Sequence, residues 1–142
     1  MSMSCRILVV DDSANDRKIL CTLLQALGGL EILQASDAFQ ALEKLPDFKP
    51  HVFLIDVRMP GMNGLDLWRT IRDTNSTSEA IIMTAFDSHE TAAQAAELGA
   101  HSYLPKPIRP QLLLANINSA MTRVVEKECK QEYRDKKGLY GL

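Results

Sequence analysis

His51-Val52-Phe53-Leu54-Ile55-Asp56-Val57 is the stretch on which the reading of this chain turns. An apolar run of this length, without polar alternation, reads as a strand buried on both faces, the habit of parallel sheets. The same form recurs on either side. Arg6-Ile7-Leu8-Val9-Val10 runs into Asp11-Asp12, and Ser102-Tyr103-Leu104 runs into Pro105-Lys106-Pro107. Each run ends in a charged group. Parallel sheets place their ligand sites just beyond the carboxyl ends of the strands. Asp11, Asp12, Asp56 and Lys106 are therefore expected to meet at one sheet edge.

Helix signals lie between the strands. Ser13 opens the first helix, with Asp16 three residues on as a capping-box partner. Leu20, Leu23, Leu24 and Leu27 share one helical face, and Gly28-Gly29 ends it. Glu31 to Ala35 is a short second strand. Ala38, Ala41, Leu42 and Leu45 form the next stripe, which Pro46 is expected to stop. After the central strand comes the turn-rich Arg58-Met59-Pro60-Gly61-Met62-Asn63-Gly64. Pro presets its own φ and Gly tolerates positive φ, so Pro60-Gly61 suits a tight turn. Asn63 is placed to cap a helix whose Leu67, Trp68 and Ile71 face inward. Ala80 to Ala85 is the fourth strand, and Asp87 and Glu90 bracket the start of a helix that Gly99 closes. Ser102 to Leu104 is the fifth strand. Pro110 sits early in the last helix, where a missing N–H costs nothing. Leu113, Leu114, Ile117, Met121, Val124 and Val125 make its apolar face.

Five βα units in series imply an α/β domain, a (βα)5 three-layer sandwich with helices on both faces of a parallel sheet. The length fits the flavodoxin-like strand order 2-1-3-4-5. That order sets strands one and three side by side, with Asp11, Asp12 and Asp56 at the switch point. The alternation of elements is read from periodicity; the strand order is an expectation from the common arrangement.

At 142 residues and 46% hydrophobic content, one domain with a full core is expected. It should occupy residues 1–125. Residues 126–142 form a charged helical extension, a linker or a tail: Glu126 with Lys130 and Glu132 with Lys136 are favourable i,i+4 pairs, but the apolar stripe does not continue. A formal net charge of -2 gives no basic surface for direct nucleic-acid binding. No apolar stretch approaches the ~20 residues that span a bilayer, and the start lacks a signal-peptide pattern. Cys5, Cys21 and Cys129 form no CxxC, so a reducing cytoplasm is expected. His51, His89 and His101 share no metal-ligand spacing.

Three carboxylates crowded at a partly buried edge repel one another, and desolvation disfavours their charges further. A hard divalent cation with oxygen ligands, as Mg²⁺ prefers, resolves the conflict. One carboxylate can then serve as nucleophile towards phosphorus. Lys106 supplies a compact positive charge for a phosphoryl oxygen, and Thr84, ending the fourth strand, supplies a hydroxyl. Phosphoryl transfer asks for this kind of positioning and charge neutralisation more than for covalent help.

With these residues in this order, the chain resembles a receiver domain of the two-component response regulators over about residues 5 to 125. The resemblance implies the chemotaxis-regulator fold and Mg²⁺, or Mn²⁺ in its place, at Asp11, Asp12 and Asp56, with the backbone carbonyl of Arg58 as a further ligand. It implies that Asp56 accepts a phosphoryl group from a histidine kinase or histidine phosphotransfer protein. Thr84 and Lys106 match the phosphoryl-sensing positions, Tyr103 the aromatic that moves inward on activation, and Lys106–Pro107 a bond that is typically cis. Arg58 and Phe86 stand where the family tunes how fast phosphate arrives and leaves. The segment from Asp56 to Gly64 is similar to that of nitrogen-regulatory and nodulation-type regulators.

The implied output is a switched surface of the fourth helix, fifth strand and fifth helix, acting on an output domain or protein partner, with homodimerisation on phosphorylation as one form. Two other readings compete. One is a phosphate-independent docking receiver. The other is an aspartyl-phosphate phosphatase or phosphotransferase; such enzymes resemble one another in an Asp-x-Asp after the first strand, whereas here Asp11 and Asp12 are adjacent and point to opposite sides of an extended chain.

Overall fold

The structure, a computed structural model, describes residues 4–85 and 88–139. Five strands and five helices alternate: β1 Cys5–Val10, α1 Ala14–Gln25, β2 Leu30–Ala35, α2 Ala38–Phe48, β3 Val52–Asp56, α3 Gly64–Arg72, β4 Glu79–Thr84, α4 His89–Glu97, β5 Ser102–Pro105 and α5 Pro110–Leu139. The strands form one parallel sheet in the order β2-β1-β3-β4-β5. This is the (βα)5 arrangement expected from the sequence, with strand ends within a residue or two of those read there.

The pleat sorts the core into two layers. Leu8, Val10, Phe53, Ile55, Ala80 and Ile82 face one side of the sheet, under α2, α3 and α4. Ile7, Val9, Val52, Leu54, Ile81 and Met83 face the other, under α1 and α5. β3 and β4 are buried along their whole length. Their backbones lie in the middle of the sheet, so the chain can only leave them at the ends. Trp68 of α3 tilts against Phe53, with ring centroids 6.0 Å apart, and its indole N–H donates to the Leu98 carbonyl at 2.9 Å. A buried indole thus packs its ring and satisfies its donor together.

Several local expectations are corrected. Pro46 does not stop α2, which runs to Phe48 and closes at Lys49 in the left-handed region, where the Lys49 N–H reaches the Leu45 carbonyl. Pro46 gives up one helical bond, while Leu42, Leu45 and Phe48 still pack against the core and hold the last turn. Leu27 lies beyond the end of α1 and is exposed, because the chain turns at Ala26 before the next helical position returns to the sheet. Val125 is 52% exposed while Val124 beside it is buried. One residue's rotation of 100° carries it off the contact face. Ser88 caps α4 by accepting from the Thr91 N–H. Asp87, read as one bracket of that helix, lies outside the described residues.

α5 continues unbroken past the position 125/126 read as a boundary. Beyond that point it still touches the sheet. The buried Glu79 carboxylate at the start of β4 meets Lys127 Nζ at 2.8 Å and Arg123 Nε at 3.8 Å. Glu128 lies 3.9 Å from the ring of the buried His51, whose Nδ1 accepts the Arg6 backbone N–H at 3.0 Å. From residue 129 to Leu139 the helix is exposed all round. Among the described residues no helix is long and apolar enough to cross a membrane.

Candidate phosphoryl-acceptor site

The carboxyl ends of β1, β3, β4 and β5 deliver Asp11, Asp56, Thr84 and Lys106 to one edge of the sheet. Register does this without help from the loops. Val10 pairs with Ile55, so Asp11 and Asp56 follow at one level; Thr84 pairs with Pro105 one residue further on, and Lys106 follows one residue beyond that. Asp11 and Thr84 are buried almost completely, Asp56 is 6% exposed, and Asp12 turns out to solvent.

The ammonium of Lys106 sits at the centre. Its Nζ lies 2.7 Å from Asp11 Oδ2, 3.0 Å from Asp16 Oδ2 and 3.3 Å from Asp56 Oδ2. Its backbone N–H donates to the Thr84 carbonyl at 2.7 Å, and the Lys106–Pro107 peptide is cis. Asp11 also accepts the Ser13 N–H on Oδ1 at 2.9 Å, so both its oxygens are engaged. Arg17 binds the Asp11 carbonyl at 2.6 Å and pins the turn from β1 into α1.

The β3–α3 loop is held just as closely. Gly64 donates to the Val57 carbonyl at 2.9 Å and stands so near β3 that a Cβ there would collide with the Asp56 carbonyl oxygen. Only glycine lets α3 begin this close to β3. Asn63 caps α3 by accepting from the Asp66 N–H at 2.9 Å, and Gly61 takes a φ of 80°.

Electrostatics follow from the crowding. Burial, and then the charge of Asp11, push the Asp56 carboxyl up from 3.8 to about 6. The Lys106 charge and hydrogen bond, and an Arg58 backbone N–H, pull in the opposite direction and lose. For Lys106, burial works to lower the pKa, but hydrogen bonds to Asp11 and Asp16 and the charges of Asp11 and Asp56 outweigh it and raise it. Lys106 therefore stays charged across the physiological range.

One carboxylate oxygen from each of Asp11, Asp12 and Asp56 lies within 4.8 Å of the others. A set of oxygen donors, two of them buried, with one carboxyl held above its ordinary pKa, fits a hard divalent cation. A cleft of about 520 Å³ at the opposite edge of the sheet, lined by Arg6, Lys49, His51 and Glu128, has no such convergence of carboxylates.

Of the residues singled out from the sequence, the fold brings together Asp11, Asp12, Asp56 and Lys106, with Thr84 at the adjoining strand end. Tyr103 lies two residues before Pro105 on β5, half-buried against the layer under α3 and α4. Arg58 is exposed beside the cluster, and Phe86 lies outside the described residues. Asp16 was read only as a capping partner. The Ser13 hydroxyl does accept the Asp16 N–H, at 3.2 Å, but the Asp16 carboxylate turns to Lys106. Its sequence signal is an acidic side chain in the first turn of the helix that leaves the Asp11-Asp12 strand end.

A parallel five-stranded sheet of this order, with carboxylates and a lysine gathered at one edge, is a receiver architecture. The response regulator receiver domain model matches residues 7–118, and the chain belongs to that family, the receivers of two-component systems. The chain is 36% identical over 123 residues to the response regulator MprA of Mycobacterium ulcerans, covering 85% of this chain and 52% of that one. It is 36% identical over 130 residues to the regulatory protein AtoC of Escherichia coli, covering 91% of this chain and 27% of the relative. The chain thus spans about half or less of the length of these two curated relatives. Among solved structures, a CheY-like receiver from Methanospirillum hungatei superposes with a TM-score of 0.81 at 26% identity, covering 87% of this chain and 98% of the other. A beryllofluoride-activated DrrB receiver domain does so with a TM-score of 0.77 at 28% identity, covering 84% and 99%.

Proposed function

We propose that Asp56 is a phosphoacceptor, charged by a histidine kinase or histidine phosphotransfer protein, and that the phosphorylated chain switches its α4-β5-α5 surface towards an output domain or protein partner. The observation that carries this reading is the Asp56 carboxylate itself: buried, raised in pKa, and 3.3 Å from the Lys106 ammonium.

Asp11, Asp12 and Asp56, with the Arg58 backbone carbonyl, would hold Mg²⁺ or Mn²⁺. Bound there, such a cation supplies neutralisation between the acceptor carboxylate and the phosphoryl oxygens. The remaining work falls to the chain. An Asp56 oxygen forms the bond to phosphorus while the bond to the donor breaks, its electron pair leaving with the donor's imidazole nitrogen or acyl oxygen. Lys106 neutralises one phosphoryl oxygen, and the Thr84 hydroxyl donates to another. Water later attacks phosphorus, releases inorganic phosphate and restores the carboxylate. Arg58, exposed beside the cluster, and Phe86, at the second rate-tuning position, set the lifetime.

The switch follows from the same contacts. Phosphorylation replaces the carboxylate charge by a phosphoryl group carrying roughly 1.5–2 negative charges, placed closer to Thr84 and Lys106. A charge-assisted hydrogen bond contributes roughly 1.5–3 kcal/mol, and two of them approach the ~5.5 kcal/mol that inverts a 1:99 population. Thr84 moves to the phosphoryl group and Tyr103 fills the space it leaves. Beyond residue 125, α5 continues to Leu139 as an extension of the receiver towards the output, and a second copy is one partner for the switched face.

The test is stoichiometry. With Mg²⁺ and excess acetyl phosphate, acetate release is expected as one burst per chain, the phosphoryl group staying on Asp56, followed by slow turnover limited by hydrolysis of the acyl phosphate. Sustained turnover of unrelated phosphoesters would contradict a signalling role and favour an aspartyl-phosphate phosphatase. Failure of beryllofluoride with Mg²⁺ to perturb the chain would favour a phosphate-independent docking receiver.

A further inference from the structure

We infer that Asp16 is a positioning residue that restrains Lys106 in the resting state, so that release of this tether sets how readily the site takes and keeps a phosphoryl group. The inference rests on the phosphoacceptor reading of Asp56.

A lysine ammonium has three N–H donors. Those of Lys106 face three carboxylates, and the contact to Asp16, at 3.0 Å, is shorter than the one to Asp56, at 3.3 Å. Asp16 stands apart from the carboxylates that could share a cation, a set formed by Asp11, Asp12 and Asp56. Its carboxylate thus meets the lysine without belonging to that cation-donor set. It also stands on a different element. Asp16 is on the first turn of α1, so its pull draws the ammonium away from β3 and towards the helix. The Ser13 cap and the Arg17 contact to the Asp11 carbonyl fix that turn, which keeps the tether in place.

A phosphoryl group on Asp56 needs one of those three N–H donors. Asp11 is buried with both oxygens engaged, and giving up its lysine bond would leave a buried charge short of a partner. The Asp16 side chain is 39% exposed, so water can replace the lysine there at little cost. Asp16 is the contact that yields. Until it does, it competes with the phosphoryl oxygen for Lys106.

The experiment is a double-mutant cycle on the full chain, with acetyl phosphate and Mg²⁺, reading phosphorylation and phosphate-loss rates by intact mass. Asp16→Asn should change them by roughly three- to tenfold, faster gain and slower loss, the low end of a charge-assisted bond because of the exposure. Asp16→Glu should return the rates towards wild type. In a Lys106→Met background, Asp16→Asn should have little effect, since the path runs through the ammonium. An equal effect of Asp16→Asn with and without Lys106 would overturn the inference and assign Asp16 a direct charge effect on the donor. Phosphorylation of wild type on Asp56 with Asp16→Asn indistinguishable from it would overturn it as well. No adduct on the wild type would remove the phosphoacceptor reading, and this one with it.

Discussion

Asp56 sits in the folded chain at an electrostatic cost. Its folded-state pKa lies above its unfolded value, so the folded chain holds the proton more tightly than the unfolded chain does. The stability this group contributes is full below pH 3.8 and is lost as pH rises through about 6. At 1.36 kcal/mol per pH unit the loss at neutral pH reaches about 3 kcal/mol as an upper figure. Asp56→Asn is therefore expected to raise stability above pH 6 in EDTA and to leave it unchanged near pH 4, by urea unfolding at each pH. A substitution that destabilises at neutral pH would contradict the crowding argument. Adding Mg²⁺ to wild type should recover stability in proportion to the logarithm of its concentration, and Asp12→Asn should blunt that recovery. At Gly64 the constraint is steric. Gly64→Ala should cost roughly 1–3 kcal/mol, because the new Cβ has only the Asp56 carbonyl and the Ile55 side chain to enter. A neutral result in thermal unfolding would mean that the β3–α3 loop moves freely.

Among the elements, α5 departs most from what its apolar pattern suggests. The stripe ends at Val124, yet the helix stays on the sheet for another turn through polar contacts. Arg123 and Lys127, one turn apart, bracket Val124 and close on the buried Glu79 at the foot of β4. Lys127→Met leaves that carboxylate with only the longer Arg123 contact. The expected cost is about 1–3 kcal/mol, below that of a fully buried pair because Lys127 is partly exposed. Equilibrium unfolding measures it, and amide exchange in residues 123–130 should rise with it. Hydrophobic periodicity is blind to such a clamp, as it is to the tether between Asp16 and Lys106, because both join polar groups distant in sequence. By contrast, the strands, the inward faces of α3 and of the first half of α5, and the caps at Ser13 and Asn63 were readable. Each depends on neighbours within a turn or on burial of a whole run. Pro46 misled for the complementary reason: tertiary packing of Leu42, Leu45 and Phe48 outweighed a local rule.

At the scale of the molecule, the sheet order turns local patterns into a site. Four strands ending in Asp, Asp, Thr and a Pro-Lys-Pro segment would be unremarkable in any other order; in β2-β1-β3-β4-β5 they share one edge. Register could not be read from residues alone, which is why the strand order entered as an expectation and the carboxylate spacing became visible only in three dimensions. The receiver family rests on residues 7–118 and the fold on the sheet order; the roles proposed for Asp11, Asp12, Asp56, Thr84 and Lys106 rest on their chemistry. The most direct measurement is intact mass after incubation with acetyl phosphate and Mg²⁺. The account predicts a gain of one phosphoryl group per chain, mapped to Asp56 and abolished by Asp56→Asn. A chain that gains no mass, or that carries the group on another residue, would contradict it.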